Sequence, residues 1–209
     1  MNEHILSDAP QVSDLAACIE SWPILASGIR YQYLVDYHSY NAFGTYSLSN
    51  EEWDNREMIQ NFKNNSELTD PISHENAMRK AITMLTRLLH DTFGEKLPLL
   101  TLVCIPASTA EKTAARFEEF SRLVCEETGM SNGYEHITVV ADLDHVGDSH
   151  LPEYSIDTDY FKSRNVLLFD DIMVTGGSIN KFASQVVGLC GNIVAAVVLG
   201  KAVIKKKQK

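Results

Sequence analysis

The stretch Val166 to Ser178, VLLFDDIMVTGGS, sets a short apolar run against two adjacent carboxylates and then a Thr-Gly-Gly-Ser turn that leads toward a helix. Val166, Leu167, Leu168 and Phe169 have the character of a strand buried on both faces of a parallel sheet. Ligands of such sheets bind outside the carboxyl ends of the strands, which is where Asp170 and Asp171 fall. Thr175, Gly176, Gly177 and Ser178 add hydroxyls, free backbone N–H groups and the positive end of a helix starting near Ile179. Adjacent carboxylates accept hydrogen bonds from vicinal sugar hydroxyls, and glycines let amides approach a phosphate without interference from Cβ. The order therefore describes a site for a 5-phosphorylated ribose. Either half alone reads more simply, Asp-Asp as a turn and Thr-Gly-Gly-Ser as a helix cap. Their spacing joins them.

This stretch resembles the phosphoribosyl-pyrophosphate (PRPP) motif of the type I phosphoribosyltransferase family. The resemblance implies that Asp170 and Asp171 are the catalytic acid pair on the ribose hydroxyls. It implies that Thr175, Gly176, Gly177 and Ser178 hold the 5′-phosphate, with Met173 and Val174 contributing backbone. It further implies Mg²⁺ as cofactor, held mainly by PRPP with Asp170 and Asp171 as the chain's own route to it. Val174 departs from the hypoxanthine-guanine branch, which carries a proton-accepting Asp there; a valine transfers no proton. The Gly-Gly pair and the apolar residue before the threonine are closer to the adenine branch.

With 209 residues and 44% hydrophobic content, the chain can bury a full core as one domain with a small appended part. The polar, acidic start MNEHILSDAPQVSD is unlike a secretory signal, and a cytoplasmic location is expected. Cys18, Cys104, Cys125 and Cys190 are scattered, which suits reduced thiols better than a disulfide framework or a metal site. A net charge of −10 argues against nonspecific nucleic-acid binding. Lys201, Lys205, Lys206, Lys207 and Lys209 are the exception, and such runs usually end as solvated tails.

Upstream, Leu99 to Ile105 reads as a second buried strand, followed by Pro106-Ala107-Ser108-Thr109 and a helix of roughly twenty residues. Ser108 and Glu111 have capping-box spacing, Gly129 is the expected stop, and Phe117, Phe120 and Val124 share one face. In the family that this chain resembles, a strand-to-helix loop at this place binds pyrophosphate. By that resemblance Ala107, Ser108, Thr109 and Lys112 are the pyrophosphate residues, while Arg116, a turn further on, is as readily a salt-bridged helix residue.

Another strand is expected at Ile137 to Ala141, and then a polar stretch from Asp142 to Arg164 in the position of the family's mobile lid. Asp142, Asp144, His145, Asp148 and His150 match no zinc spacing and read as solvated loop residues, with His145 or Lys162 as candidate closing contacts. In the N-terminal third, Ser49 and Glu52 have capping-box spacing before a helix to Lys63 with Trp53, Met58, Ile59 and Phe62 as its apolar positions. A second helix is expected from Ser73 to Phe93 with Ala77, Ala81, Met84, Leu85, Leu88 and Leu89 on one face. Tyr31 to Tyr46 reads as a strand pair, and Tyr33, Tyr37 and Tyr40 are either packing residues or a base-stacking surface.

This order of elements resembles the ComF-like branch of the family over residues 53 to 201. Met58 to Lys63 and Arg116-Phe117 are its weaker echoes, and the branch's cysteine zinc ribbon has no counterpart in these residues. The expected fold class is α/β, a doubly wound, mainly parallel sheet flanked by helices with an N-terminal hood. Residues 1–70 would be the hood, 71–204 the core and 205–209 a basic tail. Two functional readings stay open: a transferase using Mg-PRPP and an unidentified base or amine acceptor, or a PRPP-sensing regulator without turnover. An α/β nucleotide-binding domain with an unrelated ligand is a third. A second copy of the chain, as a homodimer, is the protein partner considered; membrane and nucleic acid are not expected.

Overall fold

The structure, a computed structural model, describes residues 12–39, 48–64, 69–141, 153–189 and 192–203. Along the chain come α1 (Val12–Cys18), β1 (Tyr31–Tyr37), α2 (Asn50–Lys63) and α3 (Pro71–Phe93). After a 3₁₀ turn follow β2 (Leu100–Cys104), α4 (Ala110–Thr128), β3 (Ser131–Asn132) and, beyond a second turn, β4 (Ile137–Ala141). The remainder is β5 (Glu153–Ile156), a single helical turn α5 (Thr158–Phe161), β6 (Asn165–Met173), α6 (Gly177–Leu189) and β7 (Asn192–Ala202).

Five strands form a central sheet in the order β1-β7-β6-β2-β3, with every neighbouring pair parallel. The apolar run before the acid pair is the middle of β6, the central strand of this sheet, which explains why it carries no polar residue on either face. Alternation divides it cleanly. Leu167 and Phe169 join Leu100, Leu102, Ala195 and Val197 against α2, α3 and α4, whereas Val166 and Leu168 join Val103, Ala196 and Val198 against α6. Helices thus cover both faces, the doubly wound arrangement expected.

Local signals account for the helices. The Ser49–Glu52 capping box is present at the start of α2, which buries Met58, Ile59 and Phe62. Trp53, expected on that face, is 48% exposed. It stands nine residues before Phe62, roughly 180° around a helix of about 3.6 residues per turn. The helix α3 starts two residues earlier than expected because Asp70 caps it, accepting from the Ile72 and Ser73 amides, and Pro71 suits its first turn. Its Ala77, Ala81, Leu85 and Leu89 are buried, with Met84 and Leu88 packed at the margin. Gly129, with φ of +72°, ends α4 as expected.

The structure refines these expectations at particular places. Tyr31–Tyr37 is the strand β1, paired parallel with β7 at the edge of the described sheet, and residues 40–47, where the second strand of the expected pair falls, lie outside the described residues. The N-terminal third is consequently part of the central body: β1 belongs to the sheet, and α2 packs so closely on β7 that a β-carbon at Gly200 would run into Ile59 Cδ1. Within 142–164, residues 153–164 are not a loop, because β5 pairs antiparallel with β4 and α5 buries Phe161. Lys201 belongs to β7, where its ammonium donates to the Tyr31 hydroxyl at 2.9 Å; residues 204–209 lie outside the described residues. Cys104 and Cys125 are buried free thiols and Cys18 a half-buried one. Among the described residues no helix is long and apolar enough to cross a membrane.

Candidate functional site

Four phenylalanines fix the end of β6. Phe169 lies 4.7 Å from Phe120 of α4, and Phe62 of α2 meets Phe120 edge-on at 5.1 Å, with Phe117 alongside. Aromatic packing of this kind leaves the strand little freedom, so the two residues that follow Phe169 emerge at a defined place. They point to different surroundings. Asp171 is 6% exposed and Arg116 of α4 only 7%. Asp171 Oδ2 accepts from Arg116 Nη1 at 2.7 Å, with Lys63 Nζ 4.0 Å away. Asp170 is half-buried, and its Oδ1 accepts from the Asp171 amide at 2.8 Å. Burial, and then the adjacent charge of Asp171, push the Asp170 carboxyl well above the usual carboxylate range; the Asp171 amide, Lys63 and Arg116 oppose this only in part.

The turn after the acid pair encloses a cavity of about 170 Å³ lined by Asp170 and by Ile172 through Ile179. That space suits one phosphate with part of a sugar rather than a whole nucleotide. Gly176 has φ of +83° and its carbonyl accepts the Asn180 amide at 3.0 Å, so the helix begins at Gly177. The amides of Gly177, Ser178 and Ile179 lie in the first turn, which has no intrahelical acceptor for them. Val174, Thr175, Gly177 and Ser178 are exposed, Val174 at 67%. A segment without any sequence signal supports the turn from below: Ser27 donates to Asn180 Oδ1 at 2.6 Å and Leu25 packs under Gly176.

The Pro106 to Thr109 loop lies beside the acid pair, because the Ile105 amide donates to the Phe169 carbonyl at 2.8 Å. Two details differ from expectation. The N-cap of α4 is Thr109, accepting from the Lys112 amide at 3.2 Å, so Ser108 and Glu111 form no capping box. Thr113 is the reason: its hydroxyl donates to the Thr109 carbonyl at 2.7 Å and accepts the Ala107 amide at 3.0 Å, which holds the loop extended through Ser108. Ala107 is therefore buried with its N–H engaged inside the loop, whereas Ser108 and Lys112 are exposed and 3.5 Å apart at Oγ and Nζ. Arg116 is buried on Asp171 rather than presented toward the loop.

Asp142, Asp144, His145, Asp148 and His150 lie outside the described residues. Lys162 is exposed at the end of α5. Tyr154 of β5 stacks edge-on against Phe182 at 5.3 Å, and its buried hydroxyl has no partner among the described residues. Burial first, and then the charge of Asp170, push that phenol up to about 12. Tyr37 is a packing residue whose hydroxyl accepts from Gln60 Nε2 at 2.6 Å, and Tyr33 lies 5.2 Å from the Lys201 ammonium; Tyr40 lies outside the described residues. A larger groove of about 720 Å³ runs between α3 and α4 and holds none of the motif residues.

Among the described residues no three His, Cys, Asp or Glu side chains converge to form a metal cage. A hard cation brought in on a diphosphate needs only one or two carboxylates from the protein, and Asp170 at the cavity wall fits that demand.

No protein-family model matches the chain, and no curated protein does either. Its fold is similar to that of adenine phosphoribosyltransferase from Thermoanaerobacter pseudethanolicus, at 19% identity over 62% of this chain and 72% of that one, with a TM-score of 0.42. It is also similar to purine phosphoribosyltransferase from Pyrococcus horikoshii, at 14% identity over 63% of this chain and 89% of that one, with a TM-score of 0.34.

Proposed function

We propose that the chain binds Mg-PRPP and transfers its 5-phosphoribosyl group to a nitrogenous acceptor, releasing pyrophosphate. The observation that carries this reading is the single cavity at the end of β6, where Asp170 and the first turn of α6 line one wall-to-wall space. A carboxylate for the sugar hydroxyls and free amides and hydroxyls for the phosphate line the same space, as a 5-phosphorylated ribose needs. Thr175, Gly176, Gly177 and Ser178 would take the 5′-phosphate, with Met173 and Val174 completing the turn. Ser108, Thr109 and Lys112, beside β6, would take the pyrophosphate.

In the reaction the bond from the anomeric carbon to pyrophosphate breaks with its electron pair leaving on the phosphate oxygen. The acceptor nitrogen forms the new bond, and its proton goes to solvent. Mg²⁺ would supply charge neutralisation on the leaving group. The chain's own part is to hold the two ends of the donor and to set negative charge near the carbon on which positive charge develops. A second reading, a PRPP-sensing protein without turnover, is favoured by Val174, exposed at a position from which no proton can be exchanged.

Pyrophosphate release from PRPP across a panel of bases and amines, with PRPP binding measured by calorimetry in parallel, tests both. Release with one acceptor supports the transferase. Binding without release for any acceptor supports the sensor. Absence of binding removes both.

A further inference from the structure

The two carboxylates of the acid pair stand in unequal positions. Asp170 lines the cavity of the motif, and Asp171 does not. Asp171 Oδ2 accepts the 2.7 Å hydrogen bond from Arg116 Nη1, each side chain 9% exposed, and has Lys63 Nζ 4.0 Å away. The same guanidinium donates from Nε to the Lys63 carbonyl at 2.8 Å, and Lys63 is the last residue of α2. One planar cation thus joins α2, α4 and β6, and satisfies a helix-end carbonyl that has no intrahelical donor. Pulling Arg116 away would strand a charge in a closed site, so the pairing is not one that a ligand hydroxyl displaces easily.

Resting on the 5-phosphoribose reading above, we infer that Arg116 is a positioning residue that withdraws Asp171 from the ligand and leaves Asp170 as the one carboxylate meeting the ribose hydroxyls. Arg116 lies one helical turn beyond Lys112 on α4, so the ion pair also sets how far the pyrophosphate side of the site stands from β6. Asp171 acts through geometry, and the ligand touches Asp170.

Calorimetry with ribose 5-phosphate, and with inorganic phosphate as a probe of the 175–178 turn alone, separates these roles. Asp170→Asn is expected to remove most ribose 5-phosphate binding. Arg116→Gln should weaken it about tenfold, the scale of one lost charge-assisted hydrogen bond, while inorganic phosphate binding changes by less than about twofold. Asp171→Asn should cost less than Asp170→Asn, and Arg116→Lys, which keeps charge but loses the fork, should fall between Arg116→Gln and the unsubstituted chain. An Asp171→Asn loss as large as that of Asp170→Asn overturns the inference. So does a folded Arg116→Gln variant with unchanged ribose 5-phosphate affinity.

The contact itself is read without ligand from the ¹⁵N signal of the Arg116 Nε–H group, which should move in Asp171→Asn and stay in Asp170→Asn. If Arg116→Gln fails to fold, Arg116→Lys and this signal still decide. A chain that binds inorganic phosphate but not ribose 5-phosphate loses the 5-phosphoribose reading, and with it the ligand role of Asp170, while the Arg116 signal reports separately on the ion pair. An unmoved signal in Asp171→Asn rejects the pairing, whatever the ligand.

Discussion

Leu25 Cδ2 stands 2.8 Å from where a β-carbon on Gly176 would lie, and Gly176 has φ of +83°. The backbone conformation thus favours glycine at this turn, and any side chain there would also have to displace the end of Leu25. Gly176→Ala should lose at least about 1–2 kcal/mol from the left-handed conformation alone. Adding Leu25→Ala should relieve the clash but leave that loss. Thermal unfolding of the two variants, with phosphate binding, checks this; an alanine at 176 that costs nothing would mean that the turn is built differently.

Phe120 is wholly buried between Phe169 and Phe62. Its truncation removes the packing that aims β6 at the site. Phe120→Ala should cost about 3–5 kcal/mol in urea-induced unfolding, in line with large-to-small core substitutions. Where the variant remains folded, its ribose 5-phosphate affinity should also fall, since the acid pair follows directly on Phe169.

What could be read from the residues alone divides by distance along the chain. The central strand, the Ser49–Glu52 box and the Phe117, Phe120, Val124 stripe were legible because period and capping are local properties. Arg116 carried a signal that spacing could have revealed: it lies four residues before Phe120, on the buried stripe, and a buried arginine demands a counter-charge. Lys63 follows Ile59 at the same interval. Nothing local announces Leu25 or Ser27, whose partners Gly176 and Asn180 are some 150 residues away in sequence. The β4–β5 ribbon was hidden likewise, because an alternating strand does not name its partner. The Ser108–Glu111 spacing misled because Thr113 competes for the same loop.

Tyr154 has a buried hydroxyl without a partner among the described residues, and its phenol is pushed up to about 12 from an ordinary value of 10.0. The folded chain holds this proton more tightly than the unfolded chain does. The resulting stability is complete below pH 10 and lost as pH rises through about 12. Tyr154→Phe should therefore match or exceed the parent near pH 7, since an unsatisfied polar group is removed. It should also lose less stability in the alkaline range. Denaturant unfolding at a series of pH values measures both, and a less stable phenylalanine variant at pH 7 would show that the hydroxyl has a partner.

Asp170 has the same sign on the acid side. Its carboxyl is held well above the ordinary value of 3.8 by burial and by the charge of Asp171. The folded state therefore binds this proton better than the unfolded state, and the contribution is complete below pH 3.8 and lost as pH rises through the folded-state value. Ionising this carboxyl in the folded chain is a cost to the fold that the unfolded chain does not bear. Asp170→Asn removes the charge and keeps the shape, so it should raise the melting temperature at pH 7, and the gain should shrink as the pH is lowered toward 3.8. Ribose 5-phosphate binding should be lost in the same variant. A gain in stability with a loss of binding marks a residue kept for its ligand at the expense of the fold. An asparagine variant less stable than the parent at pH 7 would instead make Asp170 a structural residue.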